Sequence, residues 1–297
     1  ELAAALAGVG WLDALAEDRP SAVAVLFEAQ GEANVTSAGL DRVLAISLPV
    51  PDPVPAAVVL PPLREVEPPG RLEGATLMVR GLGTAALVRH DAVVVVARRD
   101  GSGDAAFVVP HAALKAEPVS GIDPGLGLVE ISGALEAASL PGPHTVDWSR
   151  ALTTGQLALG HELVGSGRAM LELARTHALE RIQFGRPISS FQAVRHRLAE
   201  TLVTLDAAAA LLAAVWDDPS PQSAAMAKGL AGRSARTAAR HCQQVLAGIG
   251  FTVEHPFHRF FFRTAVNDQL LGAGRALTRQ LGADVLATGT FPASFPL

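Results

Sequence analysis

From Trp148 to about residue 287 the apolar residues keep a helical period with few interruptions. Phe191, Val194, Leu198, Leu202, Leu205, Ala209, Leu212 and Trp216 step by three and four, which places them on one face of a single helix. Another helix is predicted over 150–180, a third from about 221 to 247 and a fourth from about 264 to 287. Asp217-Asp218-Pro219 and GIGFTVEHP supply the breaks. Four long helices with short connections predict a bundle.

Upstream the period changes. ATLMVRG, DAVVVVA, DAAFVVP and GLVEISG are short β-rich runs, and RRDGSGD and GIDPGLG between them are turn chemistry. No helix-length pattern separates them, so an antiparallel sheet is expected rather than βαβ units. Helical spacing reappears at the start, in LAAALAGVGWLDALA and AVAVLFEAQGEANV. The prolines of residues 49–70 rule out regular helix there, and the stretch reads as a linker into the strands. The expected class is α+β: a short N-terminal helical segment (1–47), a β-domain with a Pro-rich entry linker (48–147) and a C-terminal four-helix bundle (148–297).

With 297 residues the chain is long enough for two domains. Its apolar share of 49% and mean hydropathy of +0.30 come mostly from Ala, Val and Leu, which suit helices packed on helices and on partner subunits. No run approaches the roughly 18 uninterrupted apolar residues of a membrane span. A net charge of -5 does not favour nucleic acid. Cys242 is the single cysteine, which excludes an internal disulfide and a cysteine-based metal cluster; a small buried hydrophobe is expected there. The opening carries acids instead of a basic region, so no signal peptide is read and a cytoplasmic protein is expected.

Four stretches could carry chemistry. GLGTAA at 81–86 looks like a nucleotide-binding glycine loop, but a strand follows it where a helix N-terminus is required, so it reads as a turn. Glu254, His255 and His258 lack the helical spacing of a metal pair, and Pro256 breaks them; a helix-entry loop is expected and no metal. Glu162 sits on the first bundle helix near Gly160, Gly165 and Gly167, whose cost of up to about 1 kcal/mol each implies close approach of a helix or ligand. It is either a buried functional acid or a carboxylate bonded to a neighbouring helix. Last comes RIQFGRPISSFQAVRHRLAE at 181–200, where Gly185 and Pro187 end a helix, Ser189 or Ser190 can cap the next, and Arg181, Arg186 and Arg195 surround the turn. Either these cations are solvated or they hold an anion.

The run from Arg181 to Gln192, Arg-Ile-Gln-Phe-Gly-Arg-Pro-Ile-Ser-Ser-Phe-Gln, resembles the signature of the acyl-CoA dehydrogenase family, flavoproteins that desaturate acyl-CoA thioesters. Gln244-Val-Leu-Ala-Gly248-Ile-Gly250-Phe251 resembles the family's Gln-x-x-Gly-Gly-x-Gly-Phe loop, and the β-domain has its rhythm of strands. The resemblance implies that Arg181, Gln183, Phe184, Gln192, Gln244 and Gly248 meet the ADP half of an FAD held mainly by a neighbouring subunit. A guanidinium and open backbone N–H groups suit a diphosphate.

Three departures narrow what the resemblance implies. The N-terminal helical region is shorter than the family's. The segment that cradles the flavin ring, commonly Trp-Ile-Thr-Asn-Gly, reads Leu77-Met78-Val79-Arg80-Gly81. Finally, the reaction needs a carboxylate to take the α-proton, yet the two family positions for it fall at about Leu271 and Gly155. Glu162 lies two turns from Gly155 and Asp268 one turn before Leu271, displaced by multiples of about 5.4 Å. The expectation is the non-base subunit of an FAD-dependent, α2β2 heteromeric acyl-CoA dehydrogenase, like actinobacterial enzymes for steroid-derived CoA thioesters. Its partners would be a homologous base-carrying subunit, the acyl-CoA and an electron-transfer acceptor. A complete homo-oligomer using Glu162 or Asp268 as base, and a flavin-free scaffold subunit, are the alternatives.

Overall fold

The computed structural model describes residues 8–50, 57–99, 101, 103–121 and 123–290. Residues 1–7 of the N-terminal helical segment and 51–56 of the Pro-rich stretch lie outside them. The chain is α+β, as its sequence implies, and forms two compact units. One takes in residues up to Leu12, 36–158 and 269–273; the other takes in 13–35, 159–268 and the residues from Gly274 on.

The first unit is built on a seven-stranded sheet in the order β5-β6-β2-β1-β3-β4-β7. Its strands are β1 (Gly70–Glu73), β2 (Thr76–Gly83), β3 (Ala92–Arg99), β4 (Gly103–Pro110), β5 (Lys115–Pro118), β6 (Val129–Glu136) and β7 (His144–Val146). The sheet is mixed, which corrects the expectation of a purely antiparallel one: β1 runs parallel to β3, with Gly70 opposite Ala97. Strand β1 is too short and polar to show a period, and it enters the sheet as the hairpin partner of β2. In β2, Leu77 and Val79 point into the core while Met78 and Arg80 face out, the alternation of a pleated strand. Strand β3 instead buries Val93 to Ala97 without a break, as a strand covered on both faces does. The Pro-rich stretch is more than a linker: Ala57, Val58, Val59 and Leu60 are fully buried, and Val58 and Leu60 bridge to Val94 and Leu82.

Beside the sheet, helix α3 (Gly39–Ala45) buries Asp41 completely. Its carboxylate accepts from the Val58 N–H at 3.2 Å and the Thr84 hydroxyl at 2.5 Å. Burial outweighs those bonds and the Arg42 charge, and pushes the acid up to about 6.

The second unit is helical. It contains α2 (Arg19–Ala33), most of α4 (Trp148–Glu180), α5 (Gln192–Val215), α6 (Pro221–Leu246), α7 (Phe257–Asn267) and α8 (Gly274–Thr288), while α1 (Trp11–Glu17) precedes α2 in the chain. The mid-helix glycines of α4 are explained by close approach. A Cβ on Gly165 would overlap the Glu28 carbonyl of α2, and one on Gly31 would overlap the Glu162 carbonyl in return. Gly160 makes room in the same way for Leu212 of α5 at 2.6 Å, and Gly167 for Leu205. Helix α5 is long and apolar enough to cross a bilayer by length and composition alone, which qualifies the absence of any uninterrupted apolar run. Leu205, Ala208, Leu211, Leu212 and Val215 form its buried face, and the Thr204 carbonyl accepts from Ser234 of α6.

Two sequence expectations are corrected. The helix predicted over about 264–287 is two helices, because the chain turns through Leu271 (φ 53°) and Gly272 (φ 100°). Neither Ser189 nor Ser190 caps α5; its N-cap is Phe191, without a side-chain bond, and the Ser190 hydroxyl donates back to the Pro187 carbonyl.

Two outcomes follow. An acid raised on folding makes the folded state bind more protons than the unfolded one between pH about 4 and 6, so stability falls as pH rises through that window. Relative to Asp41→Asn, the wild type is expected to lose on the order of 3 kcal/mol between pH 4 and pH 7 in denaturant titrations; equal pH slopes would contradict this. For Gly165→Ala, the ordinary helix gain of up to about 1 kcal/mol is outweighed by the clash, and a net loss of about 1–3 kcal/mol is expected by thermal unfolding.

Candidate functional site

Helix α4 ends at Glu180 and the chain enters a two-residue hairpin, β8 (Ile182–Gln183) against β9 (Arg186–Pro187). The hairpin is closed at its base by the Ile188 N–H donating to the Arg181 carbonyl at 2.9 Å. Both turn residues are left-handed, Phe184 at φ 53° and Gly185 at φ 78°. Tight hairpins favour such a turn because it matches strand twist, and Asn-Gly is its ordinary sequence. A phenylalanine there is strained by about 1–2 kcal/mol, and its ring is 92% exposed. The fold spends energy to hold a large apolar ring in solvent.

Beside that ring lies a groove of about 390 Å³, lined among others by Gln183, Phe184, Phe191, Arg197 and Gln244. Phe184 and Phe191 stand edge to face with centroids 6.1 Å apart, and the Arg186 guanidinium stacks over Phe191 at 4.4 Å. Arg186 is therefore a ring-stacking group and more than a solvated charge. Arg197 is held from behind: its carbonyl accepts from the Thr201 hydroxyl at 2.8 Å and lies 3.2 Å from the Nδ1 of buried His241.

The far wall comes from the end of α6, where Gln244 is exposed and the chain leaves the helix through Ala247. Ala247 has φ 52° and ψ -132°, a conformation that suits glycine. This strain falls on the residue aligned with the first glycine of the Gln-x-x-Gly-Gly element. Gly248 follows on an exposed 3₁₀ turn, with open space where a Cβ would stand. Of the six residues singled out in the sequence, Gln183, Phe184 and Gln244 line one groove, with Arg181 and Gly248 exposed in the chain segments that bear them. Gln192 begins α5 and is exposed outside the groove lining. Phe191 and Arg197, which do line it, were missed because each reads as an ordinary helix-start or helix-surface residue.

The two acidic candidates are tied into the second unit. Glu162 is buried; its Oε2 accepts from Gln30 Nε2 at 2.9 Å, and Oε1 lies 3.5 Å from the guanidinium of Arg263, which is itself buried and donates to the Val35 carbonyl. Asp268 is bonded to Arg236, and its backbone carbonyl accepts from Lys228 Nζ at 3.1 Å. Burial pulls that lysine down to about 8, against the opposing charge of Asp268. Nearby, burial pushes the Cys242 thiol up to about 12, the behaviour of a small core residue. At the helix entry His258 Nδ1 lies 2.7 Å from the His255 carbonyl, and His255 Nδ1 accepts from the Phe257 N–H.

In the first unit, Gly155 and Leu271, the positions to which the sequence resemblance assigns the base, are neighbours. A Cβ on Gly155 would lie 2.6 Å from Leu271 Cδ1 and 2.9 Å from Leu44 Cδ2. The Leu271 carbonyl accepts from Gln156 Nε2 at 2.9 Å, which fixes the turn that carries it. Leucine side chains occupy the volume beside Gly155, and both positions are buried.

The family model for the C-terminal domain of acyl-CoA dehydrogenases matches residues 147–286. Acyl-CoA dehydrogenase IpdE2 of Mycobacterium tuberculosis is 32% identical over 253 residues, covering 77% of this chain and 77% of that protein. The solved ChsE4-ChsE5 complex from Mycobacterium tuberculosis superposes with a TM-score of 0.63 at 27% identity, over 78% of this chain and 66% of that one. A glutaryl-CoA dehydrogenase from Mycobacterium smegmatis in complex with FADH2 shares the fold, with a TM-score of 0.63 at 19% identity over 79% of this chain and 66% of that one. The chain thus spans about two thirds of the length of these solved structures. On the match to IpdE2 and the C-terminal domain model, the chain belongs to the acyl-CoA dehydrogenase family.

Proposed function

We propose that this chain is the non-base subunit of a heteromeric, FAD-dependent acyl-CoA dehydrogenase, with a homologous subunit carrying the base in an α2β2 assembly. The observation that carries the reading is the hydrocarbon at the base positions: Gly155 and Leu271 meet, Leu44 closes over them, and neither position carries a carboxylate. The alternative acids are committed elsewhere, Glu162 to Gln30 and Arg263 and Asp268 to Arg236. The solved relative is likewise a complex of two differently named chains.

The donor set at the hairpin fits the ADP half of FAD. Arg181 and Arg197 offer guanidinium forks for a diphosphate, Gln183 and Gln244 offer carboxamides, and Phe184 and Phe191 offer ring faces and edges to an adenine. When bound, FAD supplies the acceptor for the hydride leaving Cβ. This chain's part is to bind and orient the cofactor and to exclude water around it, while the α-proton goes to the partner's carboxylate. Steroid-derived acyl-CoA is the substrate class implied by the sequence resemblance, and an electron-transfer protein is the expected oxidant of the reduced flavin.

The test is flavin absorbance per mole of chain, for the protein purified alone and with its homologous partner. FAD at about one per pair and only in the pair is expected; FAD at one per lone chain, with turnover, would contradict the heteromer. A second outcome concerns the strained ring. Phe184→Asn relieves the left-handed turn, so the unfolding temperature is expected to hold or rise while the pair loses FAD. Retention of FAD by that variant would remove Phe184 from the cofactor site.

A further inference from the structure

Helix α5 is more apolar than its packing accounts for. By length and composition it could cross a bilayer, yet only 33% of its most apolar window is buried. One side is fully used. Leu205 fills the place that Gly167 leaves on α4, Leu212 does the same at Gly160, and the Thr204 carbonyl takes the Ser234 bond from α6. The opposite side is open, with Leu202 48% and Val203 66% exposed. Along its centre Gln192, His196, Ala199, Val203, Asp206 and Ala210 are all exposed and step by four and three, the spacing of a helix–helix seam. Alanines on such a seam let another helix come close, as glycines do between α4 and α5. Lipid is a poor cover for it, because the exposed acids Glu200 and Asp206 stand within the helix.

We propose that this face binds a second copy of the chain, α5 against α5 in antiparallel order about a twofold axis. The charges choose both the occupant and the register. A twofold contact makes every pairing occur twice. When Val203 lies against Ala199 of the other copy, His196 lies against Asp206 and Gln192 against Ala210, each of them twice, and Leu202 meets its own counterpart beside the axis. Exposed Arg195 flanks the same carboxylate. Glu200 stays at the solvent rim, where a like charge is screened. Sliding the copies one way sets Asp206 against Val203 and then against its own counterpart; sliding them the other way shortens the overlap. The favoured register overlaps residues 192–210, about 28 Å of helix. The contact goes beyond the cofactor reading, since it needs neither FAD nor the homologous subunit. In an α2β2 assembly it makes the two copies of this chain neighbours.

The test combines cross-linking with the mass of the lone chain in solution. Leu202→Cys is expected to form an intermolecular disulfide under mild oxidation, in the lone chain and in the assembled pair. Ala213→Cys, also exposed on α5, is expected to form none, because its two copies lie about 36 Å apart. Cys242 is buried and does not compete. Sedimentation of the lone chain at micromolar concentration is expected to give a dimer. Asp206→Arg should weaken that dimer at least about tenfold without lowering the unfolding temperature, and His196→Asp added to it should restore the dimer by reversing the pair. A monomeric lone chain with no Leu202→Cys cross-link in the pair would overturn the contact. A cross-link in Ala213→Cys but not in Leu202→Cys would overturn the register, and a dimer indifferent to Asp206→Arg would overturn the charge pairing. A lone monomer that floats with phospholipid vesicles would give the face to lipid and overturn the proposal. These readings need no flavin, so their failure leaves the cofactor reading intact, and a cross-linked pair without FAD would overturn that reading alone.

Discussion

The second unit depends on a contact with no side chain in it. Helices α2 and α4 approach until the backbone at Gly31 meets the Glu162 carbonyl and Gly165 meets the carbonyl of Glu28. At that distance the polar side chains around the crossing pair with one another. Glu28 bonds to His161 and Arg168, and Glu162 to Gln30 and Arg263. His161 accepts from the Trp216 indole on its other nitrogen, at 3.3 Å, which extends the network beyond α5. The buried ionic groups are therefore structural. Removing one partner of such a pair costs several kcal/mol because the other charge is left buried, which explains why a glutamate can persist in the bundle without being a base.

With Glu162 and Asp268 bonded within the second unit, the groove lies at the hairpin and at the α6 exit. Both are built on backbone conformations that side chains other than glycine resist, at Phe184 and at Ala247. Strain of this kind persists where something else requires the geometry. Here the geometry presents a ring, two carboxamides and a guanidinium around one groove. The first unit shows the opposite arrangement, with Leu44 and Leu271 closing the volume beside Gly155. One part of the chain holds an open groove, and in the other leucine side chains fill the volume beside Gly155.

Much of this was legible in the sequence where a period or a motif carries it. The three and four spacing predicted α5 as a helix but only part of its buried face, since Leu205 and Leu212 are buried while Leu202 is exposed and Ala208, Leu211 and Val215 complete the face. The mid-helix glycines of α4 predicted close approach. The break between α7 and α8 was not legible, because Leu271 takes a left-handed conformation without being glycine, asparagine or aspartate. The parallel β1–β3 pair was hidden by the brevity of β1. The hydroxyls of Ser189 and Ser190 fit the spacing of a cap, but the 3₁₀ turn of residues 188–190 directs Ser190 back to Pro187. Motif counting placed Gly155 and Leu271 as separate candidates for one role, and only the fold shows them touching. Phe191 lies in the Arg181–Gln192 run but carried no assigned role, and Arg197 had no local signal, since a groove formed by residues distant in sequence leaves no period behind.

The central claim is that this chain lends its hairpin to a cofactor whose chemistry is completed by another subunit. The most direct measurement is the FAD content of the assembled pair with Arg181→Ala in this chain alone, against the unaltered pair, at matched assembly by light scattering. A loss of most of the bound FAD with the assembly intact is expected. Unchanged FAD content in an intact assembly would contradict the claim and leave the chain as a scaffold.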